Sequence, residues 1–168
     1  MKNFVIRHKL AVFITLAGFI FLSGLAESLN HLKLYKIPTG SMEPTIRRNS
    51  YIIVDTHGYT MQKPERFDIV LFEAPETNDK PFVKRILGLP GEFIEIKHGN
   101  AFINSHKVHP PKGIHYAEHP FNPPPVYLKK GHYYLVGDNS RNSRDSRVFG
   151  PVSLDKINGK VIKIVTPR

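Results

Sequence analysis

Short stretches of alternating apolar and polar residues follow one another along the chain beyond residue 50. They are rich in β-branched and aromatic side chains and are separated by Gly, Pro, Asn and Asp, the pattern typical of β-strands joined by turns. Outside the N-terminal apolar segment helical periodicity is nearly absent, although Pro44–Arg48 could form one helical turn. We therefore predict a mostly β fold, a coiled and mainly antiparallel sheet or partly open barrel. The predicted strands are Tyr51–Val54, Phe67–Phe72, Phe82–Leu87, Phe93–Ile96, Ala101–Ile103, Tyr133–Val136 and Val161–Val165.

The N-terminal region has a different pattern, a continuous apolar run from Leu10 to Leu25 behind a basic first segment. Its 16 residues approach the roughly 17–25 that cross a bilayer, and the positive flank favours a cytoplasmic N-terminus. We predict one transmembrane helix within residues 1–30, which anchors residues 31–168 as a domain on the extracytoplasmic side of the cytoplasmic membrane. A cleaved leader is the alternative, because Gly24-Leu25-Ala26 supplies small residues at the spacing that leader cleavage requires.

Charge and cysteine content narrow the partners and the chemistry. Lys and Arg number 24 against 14 Asp and Glu, and the net charge of +10 favours an anionic partner, either membrane lipid or nucleic acid. The chain has no Cys, which excludes disulfides, thiol catalysis and Cys-based zinc sites. Any nucleophile must therefore be another residue type.

Residues 104–131 are rich in Pro and His and predict a long surface loop. The histidines of this segment are irregularly spaced, and Glu118 is the only carboxylate among them. This composition favours a solvated loop over a metal site. We therefore expect neither a metal ion nor a cofactor.

Ser41 lies in the segment Ile-Pro-Thr-Gly-Ser-Met-Glu-Pro-Thr, residues 37–45. A serine beside such a turn is ordinarily a turn or capping residue. The alternative is a nucleophile: Gly40 would allow a substrate carbonyl to approach, and the Ser41 amide and the Thr39 hydroxyl could donate to an oxyanion. A serine hydroxyl needs a base, and no sequence signal marks a histidine or carboxylate for that task.

Lys84 and Arg85 lie on opposite faces of the predicted strand Phe82–Leu87, because side chains alternate along a strand. Taken alone, they are explained by two surface cations on an edge strand. A lysine can act as a general base if burial lowers its pKa from about 10.4 by roughly two to three units, whereas an arginine stays protonated. The chemistry therefore favours Lys84 as the base for Ser41.

The segment Gly-Asp-Asn-Ser-Arg-Asn-Ser-Arg-Asp-Ser-Arg, residues 137–147, could be an Asx-rich turn, and its Arg/Ser alternation would suit nucleic acid. It lacks an aromatic platform for base stacking, and the predicted anchor separates it from cytoplasmic nucleic acid, so we expect no nucleic-acid partner. Its more specific feature is Asp145 two residues before Arg147. This pair could brace a loop while Ser143 hydrogen-bonds a neutral lysine.

Together the three segments resemble the signature boxes of type I signal peptidases. The match covers residues 37–54, 67–95 and 133–150 in the family order, behind one apolar segment. Two positions depart from the family pattern: Ser140 stands where arginine is usual, and Phe67 where glycine is usual. The stretch between the second and third boxes is also short, which implies the minimal catalytic body of the family.

The resemblance implies a serine endopeptidase that removes N-terminal signal peptides from exported preproteins, with membrane lipid as a second partner. Ser41 would be the acyl-forming nucleophile, Lys84 the general base, and Thr39 a side-chain oxyanion donor beside the Ser41 amide. The remaining implied roles are Ser143 as the residue that orients the lysine, Asp145 and Arg147 as a structural ion pair, and Met42, Ile46 and Val83 as the lining of shallow substrate pockets. The implied substrate is an extended strand with small residues at −1 and −3.

Three other functions fit parts of the pattern. A conjugative-transfer peptidase of the same superfamily, which processes a pilin precursor, would use the same dyad. A self-cleaving repressor-like peptidase is disfavoured because residues 1–36 contain an apolar segment where a helix-turn-helix would be needed. A non-enzymatic basic module that binds a membrane surface would explain the charge but not the three segments.

Overall fold

The structure is a computed structural model that describes residues 30–75, 81–114, 116 and 123–167, together with Gly18 and Gly24. The predicted transmembrane helix thus lies almost wholly outside the described residues. Among the residues that are described, no helix is long and apolar enough to cross a membrane. The chain divides into two compact units, Met1–Leu32 and Lys33–Arg168, and the site lies in the second.

The described part of the chain is built from short strands and three helical turns. The strands are β1 Leu32–Lys36, β2 Tyr51–Asp55, β3 Ile69–Glu73, β4 Pro81–Gly88, β5 Phe93–Lys97, β6 Asn100–Ile103, β7 His106–Val108, β8 Val126–Tyr127, β9 His132–Val136, β10 Val152–Ser153 and β11 Ile157–Val165. The helical turns are α1 Ser146–Phe149 and two 3₁₀ turns, Ser140–Asn142 and Leu154–Lys156. The prediction of a mostly β fold is confirmed.

Two open sheets contain these strands. One has seven strands in the order β1-β2-β11-β3-β4-β9-β10, and the other has four in the order β7-β6-β5-β8. The pairings whose registers are defined are all antiparallel, as predicted. Strand β4 pairs with β3 along residues 81–85, but its pairing with β9 involves only Arg85–Gly88. Residues 81–84 therefore keep one edge without a strand partner in the described part of the chain.

Each predicted strand overlaps an observed one, although β3 begins two residues later than predicted, at Ile69, and β11 begins four residues earlier, at Ile157. The sequence reasoning missed β1, β7, β8 and β10. Three of these have only two or three residues, which is too short for a period of two to be recognised. In β1 the residues Lys33, Leu34 and Lys36 are all exposed, so the strand has no alternating pattern of burial.

The Pro/His-rich segment 104–131 differs from the surface loop predicted for it. It contains β7 and β8, and three of its apolar side chains, Ile114, Tyr116 and Leu128, are buried. They pack in one cluster with residues of β5, β6 and β9. Part of the segment is therefore built into the core, because these side chains bury more apolar surface there than a solvated loop would allow.

Strand β4 contributes to all three hydrophobic clusters of the described core. Leu87 belongs to the cluster that includes Ile114 and Tyr116, Val83 packs with Met42 and other side chains, and Ile86 belongs to a third cluster. A strand with apolar side chains buried on both of its faces lies inside the protein. Lys84 and Arg85, which lie between Val83 and Ile86 in this strand, are therefore also in the protein interior.

Candidate active site

Ser41 and Lys84 meet in the structure. Lys84 Nζ lies 2.8 Å from Ser41 Oγ and donates to the Val83 carbonyl at 2.9 Å. The Lys84 side chain is buried, with 3% of its surface exposed, and its Nζ lies 5.4 Å from the centre of the Phe82 ring. Arg85 is buried as well. The alternative of two surface cations on an edge strand is therefore wrong.

The surroundings of Lys84 lower its pKa from 10.5 to about 8. The main cause is burial, which penalises the charged ammonium, and nearby Arg147 acts in the same direction. The negative charges of Asp145 and Asp138 raise the pKa and oppose part of this effect. Near pH 8 a large fraction of the amine is neutral and can accept a proton.

Arg85 forms a buried ion pair with Asp138. Its Nε donates to Oδ1 at 2.8 Å and its Nη2 to Oδ2 at 2.7 Å, the parallel geometry that suits guanidinium and carboxylate. A third bond, from Nη1, goes to the carbonyl of Phe67 at 2.8 Å. Arg85 thus joins β4, the turn before β3 and the segment that follows β9.

Phe67 adopts a φ of 72°, in the left-handed region that favours glycine. This geometry explains why glycine suits the position, and it is compatible with phenylalanine at a cost of about 1–2 kcal/mol. The aromatic ring packs against the cluster that contains Leu87, which offsets part of that cost. The strained turn lets the Phe67 carbonyl accept from Arg85.

Asp145 is the centre of a second buried network. Its carboxylate pairs with Arg147 through Nε and Nη2, each at 2.8 Å, and accepts from the Gly137 amide at 2.8 Å. Arg147 Nη2 also donates to the Ser140 carbonyl at 2.8 Å. The predicted pairing of Asp145 with Arg147 is present, and it fixes both ends of the segment 137–147.

Ser143 differs from the prediction that it hydrogen-bonds the lysine. Its hydroxyl donates to Asp145 Oδ2 at 2.7 Å, whereas the described hydrogen-bond partners of Lys84 Nζ are Ser41 and Val83. A carboxylate accepts a hydrogen bond more strongly than a neutral amine does, which explains why the Ser143 hydroxyl donates to Asp145 and not to Lys84. In this arrangement Ser143 contacts Asp145, one of the two carboxylates whose charge raises the pKa of Lys84.

Gly137 allows the nucleophile turn and the Ser143 side chain to approach each other. A Cβ at this position would lie 2.6 Å from the Ser41 carbonyl oxygen and 2.6 Å from the Ser143 Cβ, and would collide with the Ser143 hydroxyl. Contacts this short are prohibitive, so only glycine fits without movement of the backbone. The next residues of this segment then reach the nucleophile turn directly, since the Asn139 amide donates to the Ser41 carbonyl.

A cleft of about 640 Å³ opens in front of Ser41 and Lys84. Of the residues predicted for substrate contact, Thr39, Met42 and Val83 line it. Ile46 is fully buried in the same cluster as Met42 and Val83 and is not among the lining residues, so it supports the cleft from behind. The lining residues that sequence reasoning missed include Tyr35, Ile37, Leu71, Phe82, Asn142 and Arg144.

The arrangement can activate a serine hydroxyl. A neutral Lys84 amine at hydrogen-bond distance can accept the Ser41 proton, and the Thr39 hydroxyl and Ser41 amide are available beside the same cleft.

Four residues around the site were not assigned a role from the sequence: Arg85, Asp138, Gly137 and Asn139. In the described ranges, no group of three or more His, Asp or Glu side chains is positioned to hold a metal ion.

Comparisons with known proteins agree on one family. A family model described as "Signal peptidase, peptidase S26" matches residues 6–166. The chain is 34% identical over 139 residues to signal peptidase I V of Bacillus subtilis, covering 76% of this chain and 82% of that protein. It is 34% identical over 135 residues to a probable signal peptidase I-2 of Synechocystis sp., covering 74% of this chain and 58% of that protein. A crystal structure of a signal peptidase I from Enterococcus faecalis V583 matches at 28% identity and a TM-score of 0.48, covering 60% of this chain and 97% of that chain.

Proposed function

Because the chain belongs to the signal peptidase family S26, a family of serine endopeptidases, we propose that it removes N-terminal signal peptides from exported preproteins with a Ser41/Lys84 dyad. The main support for this proposal is the 2.8 Å distance between Lys84 Nζ and Ser41 Oγ. The lowered pKa of the buried lysine supports the same assignment.

In the first step the neutral Lys84 amine takes the proton of the Ser41 hydroxyl as Oγ attacks the carbonyl carbon of the scissile peptide. A tetrahedral intermediate forms, and its oxyanion accepts hydrogen bonds from the Ser41 amide and the Thr39 hydroxyl. The Lys84 ammonium then protonates the leaving amine. The mature protein departs, and the leader remains as an ester on Ser41.

In the second step water replaces the leaving amine. Lys84 is neutral again after it has protonated the amine, and it takes a proton from the water that attacks the ester. Collapse of the second intermediate releases the leader with a new carboxyl terminus and returns the proton to Ser41.

The open edge of β4 at residues 81–84 supports binding of the substrate as an added strand. Such a strand would pass the cleft where Met42 and Val83 provide an apolar floor next to Ser41. We expect the substrate pockets above the buried side chains of Met42 and Val83 to be shallow, which would suit small residues at −1 and −3. We infer from the basic first segment and the apolar run Leu10–Leu25 that residues 1–30 hold the catalytic unit at the extracytoplasmic side of the cytoplasmic membrane, in contact with lipid.

The test is cleavage of a panel of export precursors by the full-length protein in detergent micelles, with products identified by mass spectrometry. Ser41→Ala and Lys84→Arg should each lower turnover by at least about 10³-fold, since either change removes half of the nucleophile/base unit. The controls are Ser105→Ala, in the exposed turn between β6 and β7, and Lys107→Ala, at an exposed position of β7, and both should retain full activity.

Full activity of Lys84→Arg would refute the assignment of the base, because a guanidinium cannot accept the proton. Processing of a conjugative pilin precursor alone, with no export precursor cleaved, would replace the proposed substrate class and leave the dyad intact. Cleavage before small residues on many unrelated precursors is the expected result.

A further inference from the structure

Asn139 contacts both carbonyls of the nucleophile turn. Its side-chain Nδ2 donates to the Gly40 carbonyl at 3.0 Å, and its main-chain amide donates to the Ser41 carbonyl at 3.0 Å. These bonds join positions that are 98 or 99 residues apart in sequence. One residue therefore holds two consecutive carbonyls, one on each side of the Ser41 α-carbon.

The bond to the Gly40 carbonyl has a directional consequence for Ser41. The Gly40 carbonyl and the Ser41 N–H belong to the same peptide unit, which is planar and trans, so the two groups point in opposite directions. A donor that fixes the carbonyl therefore also fixes the direction of the N–H. Among the described residues, the Ser41 N–H has no intramolecular acceptor, which leaves it available to a substrate oxyanion.

The position of Asn139 is itself fixed from both sides. Asp138 before it is locked by the bidentate pair with Arg85, and the carbonyl of Ser140 after it accepts from Arg147. The Asn139 carbonyl accepts from the Asn142 amide at 3.0 Å. The Nδ2 donor is thus attached to a backbone segment that both buried ion pairs hold in place.

We propose that Asn139 is a positioning residue that aims the Ser41 N–H at the oxyanion, through its side-chain hydrogen bond to the Gly40 carbonyl. The inference rests on the proposed acyl transfer at Ser41. It also gives the Arg85–Asp138 and Asp145–Arg147 ion pairs a role in catalysis, because they hold the Asn139 side chain that orients the Ser41 N–H. The effect is expected in the transition state, because a ground-state carbonyl needs this N–H less than an oxyanion does.

The test compares Asn139→Ala and Asn139→Asp with wild type in the full-length protein. Alanine removes the donor, whereas aspartate keeps the shape of asparagine and places an acceptor against the Gly40 carbonyl. Turnover should therefore fall in the order Asn, Ala, Asp, by about 10-fold for alanine and up to about 10²-fold for aspartate, below the 10²–10³-fold cost of deleting a donor outright. The KM should change by less than about twofold. Rates are compared at the alkaline plateau, where Lys84 is neutral in all variants.

The order of the two variants separates positioning from packing. If Asn139 only fills space, the isosteric aspartate should be the better enzyme of the two, and that result would overturn the inference. Both variants keep the main-chain bond to Ser41, which favours retention of the fold. A third variant, Thr39→Val, tests the shared oxyanion: its loss of turnover should not be additive with that of Asn139→Ala. Strict additivity would count against a shared role.

Asn100→Asp is the matched control. The Asn100 side chain also donates to a main-chain carbonyl, that of His98 at 2.8 Å, but in a hairpin of the second sheet, so its turnover should be unchanged. For Asn139→Ala the rising limb of the pH profile should coincide with that of wild type, and a displaced limb would show that Asn139 acts on Lys84 instead. If Ser41→Ala is inactive and Asn139→Asp turns over like wild type, this inference fails while the proposed function stands.

Discussion

Replacing Lys84 by methionine should abolish peptidase activity and make the protein more stable at neutral pH. The pKa of this lysine falls from 10.5 to about 8 on folding, so at pH 7 the folded state carries a buried ammonium that the unfolded state exposes to water. The difference of about 2.5 pKa units corresponds to roughly 3 kcal/mol of destabilisation. The side chain is almost fully buried, so solvent screening does not reduce this value much. Methionine has a similar length and no charge.

The sign of the pH dependence follows from the direction of the shift. Below pH 8 both states are protonated and the penalty is present in full. Between pH 8 and 10.5 the folded state has lost the proton while the unfolded state retains it, so wild-type stability rises with pH relative to the variant. The advantage of Lys84→Met should therefore be about 3 kcal/mol at pH 7, about 2 kcal/mol at pH 9 and under roughly 0.5 kcal/mol at pH 10.5.

The assay is equilibrium unfolding in urea at pH 7, 8, 9 and 10, followed by tyrosine fluorescence because the chain contains no Trp. Lys107→Met, at an exposed position, is the control and should change stability by less than about 0.5 kcal/mol at any pH. A Lys84→Met protein that is less stable than wild type at pH 7 would refute the reasoning. A stability difference between Lys84→Met and wild type that does not decline with rising pH would also refute it, because the destabilisation would then not arise from protonation of Lys84.

Two further predictions concern catalysis directly. Wild-type kcat/KM should rise about fivefold from pH 7 to 8 and less than twofold from pH 8 to 9, because the pKa of Lys84 is about 8; a tenfold rise over each interval would indicate an unperturbed lysine. Gly137→Ala should lower the free energy of unfolding by about 1–3 kcal/mol and remove most of kcat, because the added Cβ collides with the nucleophile turn and with Ser143. Melting temperature measures the effect on stability, and turnover measures the effect on catalysis.

The sequence was sufficient to predict seven of the eleven described strands and to select Lys84 as the candidate base. Alternation marked the longer strands because each has a buried face, and the chemistry of proton acceptance selected Lys84 over Arg85 without any knowledge of the fold. The burial of both Lys84 and Arg85 could not be predicted. The alternation of side chains places them on opposite faces of β4 but does not show that other parts of the protein cover both faces. That result depends on the register of β4 between β3 and β9, which is a long-range property.

The pairing of Asp145 with Arg147 was predicted, but other contacts around the dyad were beyond sequence reasoning. The pairing of Arg85 with Asp138 joins residues 53 positions apart, and no local pattern encodes it. Ser143 is close enough in sequence to Asp145 for a local hydrogen bond, but its choice between the carboxylate and the lysine amine depends on the three-dimensional arrangement of the segment. Ile46 was expected to line a pocket, yet depth within a core cannot be read from hydrophobicity alone. The burial of Tyr116 was hidden by the prolines and histidines around it.

The dyad is contributed by chain segments that are far apart, and this has a consequence for biogenesis. Ser41 precedes β2, Lys84 lies on β4, and the networks that hold both end at Arg147. A ribosome-bound chain that lacks the last of these segments carries the serine and the lysine but not the buried environment, and an exposed lysine reverts to its ordinary pKa. If the proposed dyad is correct, we expect such a chain to be inactive as a peptidase until the segment that ends at Arg147 has folded onto the rest of the catalytic unit.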